Sequence, residues 1–354
     1  MGFLLIGGRF LTTAMISTIG LHFHDSSLCG AYNLFMTTAT STGKIRRLDP
    51  KRDLSYVADL VEAAFGLQND PEGSSVVSQM RNLASFYRTY PLASALATNQ
   101  TGFVWEEAGQ VVGNISLITF HRRLTPIFLI ANVVVKPEFR GQGIAKRLTK
   151  HALRYTQQWG RSEIWLQVRS DNQVAISMYQ NLDFHFFGAI SQWAKAAELT
   201  PRSSPLGSAA GQFETRKRQQ SDWPQQKIWL AWAYPQETRW YQNVDLSLFS
   251  PWAWLNPLRW GQIMRLEHLC LLENNRLRGV LSLQKTETKT DSLWLGLLQD
   301  PDLNHLAREL LKQFLRSHWQ GKRLFAEYPL GAAEEAFSSN GFTRLRDLNW
   351  MRYR

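Results

Sequence analysis

The chain has 354 residues, of which 44% are hydrophobic and 19% are charged, so it is long enough to form two domains with sizeable cores. Its formal net charge is +11, and the excess is spread along the chain, with 18 basic and 12 acidic residues in 44–195 and 17 and 13 in 227–354. A nucleic-acid-binding protein more often concentrates such an excess in one stripe or tail, and no apolar run reaches the roughly 20 residues that cross a bilayer, so we expect neither a nucleic-acid nor a membrane partner.

The first 43 residues are nearly uncharged and rich in Gly, Thr and Ser, and they lack the basic start of a signal sequence. Met36 begins a polar stretch that leads directly into the first predicted strand. Our hypothesis is that translation starts at Met36 and that the upstream part is a disordered leader or a start-site artefact. N-terminal sequencing of the native protein tests this hypothesis.

The two cysteines, Cys29 and Cys270, lie far apart in the sequence. They have neither metal-ligand spacing nor the density of a disulfide framework. This usage indicates a reducing compartment, and we predict a cytoplasmic protein.

From Lys44 onward the predicted elements alternate between strands and helices. The helices are predicted from apolar residues that recur at spacings of three and four. Two of the strands meet at a turn around Ala108 and Gly109, and the last strand is an unbroken apolar segment of the buried type. The predicted elements are strands at 44–48, 103–106, 110–120 and 128–135, and helices near 54–65 and 76–87.

The strand 128–135 is the central strand of the predicted sheet. A glycine-bearing loop, Arg140 to Ala145, links it to a helix that starts at Ile144. Such a junction points backbone N–H groups into the positive end of a helix, which suits a phosphate. Gly141 and Gly143 have no Cβ, so an anion can approach the main chain closely. The loop lacks the Gly-Lys-Ser/Thr ending of a nucleoside-triphosphate loop and the third glycine of a dinucleotide fingerprint. Taken alone, it is also compatible with an ordinary surface turn.

A second strand at 162–168 and the residues after it give the loop a context. The loop contains Arg140, Gly143 and Ala145, and Asn172, Ala175, Tyr179 and Phe184 follow downstream. In these residues the chain resembles the GNAT superfamily of acyl-CoA-dependent N-acyltransferases, whose loop reads Gln/Arg-x-x-Gly-x-Gly/Ala. Residues 166–184 look most like the branch that acetylates the N-terminal alanine of ribosomal proteins. The resemblance implies an α/β fold with a mixed, mostly antiparallel central sheet flanked by helices.

The resemblance also implies acetyl-CoA as co-substrate and a primary amine as acceptor, on a small molecule or a protein N-terminus. The central strand and strand 162–168 are expected to splay apart, with the pantetheine arm between them. Tyr179 is expected to protonate the departing thiolate, although a tyrosine on a helix is often merely packed. The residues implied to bind acetyl-CoA are the backbone of Val133, Val134 and Val135, the pyrophosphate loop of Arg140, Gly141, Gln142, Gly143, Ile144, Ala145 and Lys146, and Asn172.

The sequence departs from the family pattern at two positions. Gln167 stands where the alanine-acetylating branch carries a glutamate that serves as general base, and an amide cannot take a proton at neutral pH. A water relay or another carboxylate, Glu106 or Glu107 by position, would then deprotonate the amine, or the substrate differs. Asp183 replaces the usual glycine, and aspartate tolerates positive φ better than most residues.

The second half of the chain looks like another copy of the same fold. Residues 276–283 parallel 110–117, and residues 336–342 echo 178–184. The phosphate loop is replaced by residues 299–304, which have no glycine and two carboxylates that would repel a pyrophosphate, and Phe337 replaces Tyr179. We therefore interpret the second copy as degenerate and structural.

A stretch rich in Pro, Ser and Gly separates the two copies and includes a basic triplet, 216–218, that we interpret as a solvated charge run. The predicted division is a leader (1–43), an acetyltransferase domain (44–195), a linker (196–226) and a degenerate copy (227–354). Seven tryptophans lie between 223 and 260. For these we expect core packing and inter-domain contact rather than a ligand cage.

Two classes of function remain open. The first is an active N-acetyltransferase with an inactive second copy; a variant of it is a two-copy small-molecule acetyltransferase with the layout of mycothiol synthase, in which the C-terminal copy is the active one. The second is an acyl-CoA-binding sensor without transferase activity, which the missing glutamate motivates. The oligomeric state is open as well.

Overall fold

The computed structural model describes residues 43–66, 71–89, 100–122, 125–160, 162–198, 213–241, 246–287, 290–299 and 302–354. The predicted leader, apart from Gly43, and the proposed start at Met36 lie outside the described residues. The chain forms two compact units, Met1–Gly188 with Asn349–Arg354, and Ala189–Leu348.

The first unit is built around a sheet in the order β1-β2-β3-β4-β5. Neighbouring strands from β1 to β4 are antiparallel, and β4 and β5 are parallel. This arrangement confirms the predicted α/β fold with a mixed, mostly antiparallel sheet. Its elements are β1 (Lys44–Arg47), α1 (Pro50–Phe65), α2 (Pro71–Thr89), β2 (Gln100–Glu107), β3 (Gln110–Arg122), β4 (Thr125–Val135), α3 (Ile144–Gln157), β5 (Glu163–Arg169), α4 (Gln173–Gln180) and β6 (Phe184–Lys195), whose residues from Ala189 onward belong to the second unit.

Helix α1 begins and ends at residues that suit those positions. The Asp49 side chain accepts a hydrogen bond from Lys51 N at 3.0 Å, which satisfies one N–H of the first turn. Gly66 ends the helix in the left-handed conformation with φ 62°. Between these caps Val57 and Val61 are buried, so the predicted apolar periodicity corresponds to the packed face of the helix.

Helix α3 packs closely on the sheet because β3 carries a glycine beneath it. Ile144, Leu148 and Ala152 are buried along one face of the helix. A Cβ on Gly113 would lie 3.1 Å from Cγ2 of Ile144 and 3.3 Å from Cδ1 of Leu148, so a larger residue would push the helix away. This packing brings the first turn of α3 to the end of β4.

The second unit repeats this order. Its sheet runs β6-β11-β10-β9-β8-β7, and β10 and β11 are its parallel pair. Its elements are β7 (Phe213–Lys217), α5 (Trp223–Ala233), α6 (Trp260–Ile263), β8 (Leu266–Glu273), β9 (Arg276–Gln284), β10 (Thr290–Leu297), α7 (Leu303–Ser317), β11 (Arg323–Pro329), α8 (Glu334–Ser339) and β12 (Thr343–Tyr353), whose last residues belong to the first unit.

The predicted linker, 196–226, is partly regular structure. Strand β7 and the start of α5 lie within it. Arg216 of the basic triplet donates to both carboxylate oxygens of Asp222, at 2.7 and 2.8 Å, and Arg218 donates to the carbonyl of Phe249. The triplet is therefore not a solvated charge run, because two of its members hold the first strand and helix of the second unit in place.

The two units exchange strands. Residues from Ala189 onward in β6 pair with β11, from Ile190↔Pro329 to Lys195↔Leu324, within the second unit. In the first unit the end of β12 lies beside β5. This division differs from the predicted boundaries at 195 and 227, because each unit completes its sheet with a strand from the other sequence copy.

The exchanged strand is well packed in the first unit. The Trp350 ring meets Trp165 edge to face at 6.1 Å, and Met351 is buried in the core with Phe184. Arg354 N donates to the carbonyl of Asp183 at 3.3 Å. Asp183 has φ 63°, as expected for the residue that replaces a glycine there.

The tryptophans of the second unit fall into two groups. Trp229 is buried, as predicted, and so is Trp294, which lies outside the predicted cluster. Trp252, Trp254 and Trp260 are exposed, so the prediction that these rings serve core packing is wrong for them. Among the described residues no helix is long and apolar enough to cross a membrane.

Candidate active site

The cleft of the first unit opens where β4 and β5 part. Their parallel register runs from Ile127↔Glu163 to Ile130↔Leu166 and ends there. On its other edge β4 has an irregular register opposite Asn114 and Ser116 of β3. As sequence-based reasoning expected, the strands splay, which leaves the backbone of 133–135 without a partner on β5 among the described residues.

A buried asparagine pair shapes this irregularity. Asn132 is 1% exposed and has φ 50°. Asn114 donates from Nδ2 to the carbonyl of Asn132 at 2.8 Å. The bond compensates for the backbone strain, so the bulge is held in one conformation and the end of β4 is directed away from β5.

The loop after β4 has the geometry of an anion site. Gly141 and Gly143 have φ 76° and 73°, and a Cβ at either position would point into open space. Glycine is therefore favoured here by backbone conformation rather than by crowding. The N–H groups of Ile144, Ala145 and Lys146, in the first turn of α3, have no intrahelical acceptor.

The charges around this loop also favour an anion. The first turn of α3 has no acidic residue. Arg140 donates from Nε to the carbonyl of Val135 at 3.1 Å, which joins the loop to the end of β4. Arg147 donates to the carbonyl of Gln142 at 2.8 Å, and its guanidinium lies 4.5 Å from the Trp105 ring. These bonds pre-organise a loop at the positive end of the helix.

Tyr179 lies on α4 and packs in the core of the first unit. It is 6% exposed, and its ring meets Phe184 at 5.7 Å. Burial raises the pKa of Tyr179 well above its ordinary value, so the phenol keeps its proton throughout the neutral range. Asn172 caps the same helix, and its Oδ1 accepts from Ala175 N at 3.1 Å.

Gln167 is the first residue of β5 beyond the last pair with β4. It is 3% exposed, and neither of its polar side-chain atoms has a hydrogen-bond partner among the described residues. Its neighbours Leu166 and Val168 pack into the same core as Tyr179. Since side chains alternate along a strand, the Gln167 side chain lies on the opposite face of the sheet from Leu166, Val168 and Tyr179.

The two alternative carboxylates do not reach this cleft. Glu106 accepts from Arg46 Nε at 2.7 Å and from Arg52 at 2.9 Å, and the hydrogen bond from Arg46 holds its pKa below the ordinary range. Glu107 accepts from Trp105 Nε1 at 3.1 Å. Both lie on β2, with β3 between β2 and β4, roughly 10 Å from the cleft strands. The structure therefore does not favour either carboxylate as the general base. Their positions along the chain suggested them, because chain position does not reveal the order of strands in a sheet.

The second unit has a glutamate at the position of Gln167. The register between β10 and β11 ends at Leu293↔Ala326, and Glu327 follows. Glu327 accepts from Gln192 Nε2 at 2.7 Å and from the Tyr241 hydroxyl, and burial raises its pKa. Sequence-based reasoning missed this residue, although aligning 322–327 with 162–168 would have found it.

The corresponding cleft is filled by side chains of the second unit itself. Tyr328, fully buried, stands where the first unit has Val168, and the Tyr234 hydroxyl accepts from Leu295 N on β10 at 3.1 Å. Phe337, in place of Tyr179, stacks on Trp193 at 5.1 Å. A pantetheine arm would have to displace these rings to enter between β10 and β11.

The described residues contain no group of three His, Cys, Asp or Glu side chains that could hold a metal ion.

Comparison with known proteins finds a family profile that matches part of the first unit. Residues 67–184 match the profile of the Acetyltransferase (GNAT) family. The chain is 41% identical over 64 residues to N-alpha-acetyltransferase 30 of Schizosaccharomyces pombe, and this match spans 18% of the chain and 43% of that protein. It is 33% identical over 54 residues to the [Ribosomal protein bS18]-alanine N-acetyltransferase of Escherichia coli, over 15% of the chain and 36% of that protein. Less than half of each of these relatives is therefore matched.

A solved structure covers both halves of the chain. The GCN5-related N-acetyltransferase from Sphaerobacter thermophilus has a TM-score of 0.55 and 12% sequence identity, with 88% of this chain and 95% of that chain covered. At this identity the likeness shows the fold alone. Residues 67–184 are thus similar to a GNAT acetyltransferase domain.

Proposed function

We propose that the protein is an acetyl-CoA-dependent N-acetyltransferase that moves an acetyl group to a primary amine, on a peptide or protein N-terminus or a small molecule, by direct attack in a ternary complex. The observation that carries the proposal is the splayed end of β4, which leads directly into the anion-binding loop before α3. A thioester with a pyrophosphate at one end fits both features. The match of residues 67–184 to the acetyltransferase family supports the same chemistry.

In this mechanism the backbone of Val133 to Val135 would bind the pantetheine arm and polarise the thioester carbonyl. An oxyanion contact of this type contributes roughly 2–4 kcal/mol to catalysis. The amine attacks the carbonyl carbon to form a tetrahedral intermediate, and the carbon–sulfur bond then breaks with its electron pair on sulfur. Tyr179 gives its proton to this thiolate, and the new amide loses the amine's extra proton.

The Gln167 side chain would meet the acceptor rather than take its proton. An amide has both donors and an acceptor, and both kinds of group on Gln167 lack a partner among the described residues. Because Gln167 and Tyr179 approach the cleft from opposite faces, the acceptor would enter on one side and the acid would act on the other. The amine must then lose its proton to solvent, directly or through a water.

The direct test is thiol release from acetyl-CoA in the presence of a panel of peptides with free N-termini and of small amines. We expect release with one class of acceptor. We also expect its rate to rise with pH through the ordinary pKa of that amine, since a neutral amine is needed and Gln167 cannot take the proton. Acetyl-CoA binding without turnover on every acceptor would instead identify an acyl-CoA sensor.

Tyr179→Phe should lower turnover roughly ten- to a thousandfold while leaving acetyl-CoA affinity nearly unchanged, because only the proton for the leaving thiolate is lost. Tyr155→Phe is the matched control, since Tyr155 packs on α3 against Phe103 at 5.4 Å. Single-turnover rates and binding isotherms for both variants separate the two effects. An unchanged rate across roughly pH 6 to 9 would show that water protonates the thiolate and that Tyr179 only packs.

A further inference from the structure

A short segment of the second unit presents an unusual number of apolar side chains to solvent. Leu258 and Met264 are 93% and 85% exposed. Four other large apolar side chains of the segment are more than half exposed: Trp252, Trp254, Leu255 and Trp260. Monomeric proteins seldom expose a contiguous apolar surface of this kind unless it binds a protein, a membrane or a ligand. Residues 251–265 are called the tryptophan platform below.

The tryptophan platform is ordered rather than frayed. Trp260 Nε1 donates to the carbonyl of Trp254 at 2.6 Å, and Arg259 donates to Ser247 Oγ at 2.8 Å. The Asn256 side chain accepts from Leu258 N at 3.1 Å and caps a short turn. Leu246, Leu248, Phe249 and Ala253 are buried and anchor the segment to the unit. The Trp260 ring and the backbone of the segment are thus held in place before any partner arrives.

The shape of the tryptophan platform excludes a small-molecule cage. A side chain exposed by 93%, as Leu258 is, touches almost nothing, so it lies on a convex surface rather than in a groove. Small-molecule sites are concave and bury most of their ligand. A convex apolar surface instead fits a broad, deformable partner into which single side chains can insert.

The charge of the platform indicates which kind of partner it would bind. Residues 251–265 contain Arg259 and Arg265 and no Asp or Glu. Arg265 is exposed and forms a surface ion pair with Glu287, and an exposed pair of this kind is weak enough for an anionic headgroup to compete for the guanidinium. The whole chain carries a formal net charge of +11. Tryptophan, with an apolar ring and a polar N–H, is enriched at the boundary between lipid and water, and arginine is attracted to anionic headgroups.

We propose that the tryptophan platform docks on the surface of an anionic lipid bilayer, with Leu258 and Met264 inserted among the headgroups. Binding of this kind is peripheral and needs no spanning helix. We expected no membrane partner because the sequence has no apolar run long enough to span a bilayer. That reason does not apply to a protein that binds only to the bilayer surface. The proposal does not depend on the acetyltransferase activity, because the platform lies entirely within the second unit.

The test is co-sedimentation of the full chain with vesicles of phosphatidylcholine alone and of phosphatidylcholine mixed with phosphatidylglycerol. We expect partitioning onto the mixed vesicles, weakened by salt, and a loss of at least roughly tenfold in Leu258→Glu/Met264→Glu. Both side chains are almost fully exposed, so these changes leave the fold intact, which a melting curve verifies. Tyr56→Glu, at another exposed apolar residue, is the matched control and should bind like the parent.

The proposal is overturned if the chain does not bind mixed vesicles at low salt. It is also overturned if the double variant binds them as well as the parent does. A third contrary result is a chain that does not bind vesicles but forms a concentration-dependent dimer in sedimentation velocity, with the dimer lost in the double variant. The platform would then be an interface between two copies of this chain.

Discussion

A chain that ends after Lys195 should aggregate or melt at a lower temperature than the full protein, and it should have little activity. The structure supplies the reason, since Asn349–Arg354 belong to the first unit. Truncation removes Met351, which is 1% exposed, and uncovers Trp165, whose ring packs against Trp350. Each fully buried large side chain contributes roughly 1.5–3 kcal/mol, so the loss is large against a typical total of about 5–15 kcal/mol.

Truncation also removes backbone partners. Strand β5 loses β12 beside it, and an unpaired strand edge promotes aggregation. Circular dichroism melts and size-exclusion chromatography of the two chains give the measurement. Met351→Ala in the full chain is the matched partial change, and it should cost about 2–5 kcal/mol with the second copy intact. A truncated chain that is monomeric, equally stable and fully active would show that the exchanged strand is dispensable.

Gly143→Asp should reduce acetyl-CoA affinity by at least roughly a hundredfold. Its carboxylate would stand at the N-cap of α3, where an aspartate itself satisfies first-turn N–H groups. It would therefore occupy the proposed pyrophosphate position and repel the ligand's charge as well. Isothermal titration with acetyl-CoA measures the effect.

Gly160→Asp is the control for this change. Gly160 also has positive φ, 69°, with open space where a Cβ would lie, and it follows the other end of α3. Both variants should lower the melting temperature similarly, because both place a Cβ at positive φ, but only Gly143→Asp should lose affinity. Undiminished binding by Gly143→Asp would rule out the loop as the pyrophosphate site. The C-terminal change Asn304→Asp should also leave binding unchanged.

The sequence by itself determined the local features of this protein. Helix α3 was predicted because Ile144, Leu148 and Ala152 follow the helical period, which depends only on neighbouring residues. Arg140 to Ala145 indicated an anion loop for the same reason, since strand, glycines and helix follow one another directly. Parallel segments also led us to interpret the second half as a copy that has Phe337 in place of Tyr179 and no glycines in its loop.

Only the tertiary structure decided which strands pair, which carboxylates reach the cleft and which tryptophans face solvent. An apolar alternation marks a strand but not its neighbour, so nothing local showed that 349–354 would complete the first unit. For the same reason, position along the chain made Glu106 a possible base, although the sheet order places it beside Arg46. Composition likewise treated Trp229 and Trp260 alike, because burial depends on contacts between residues distant in the sequence.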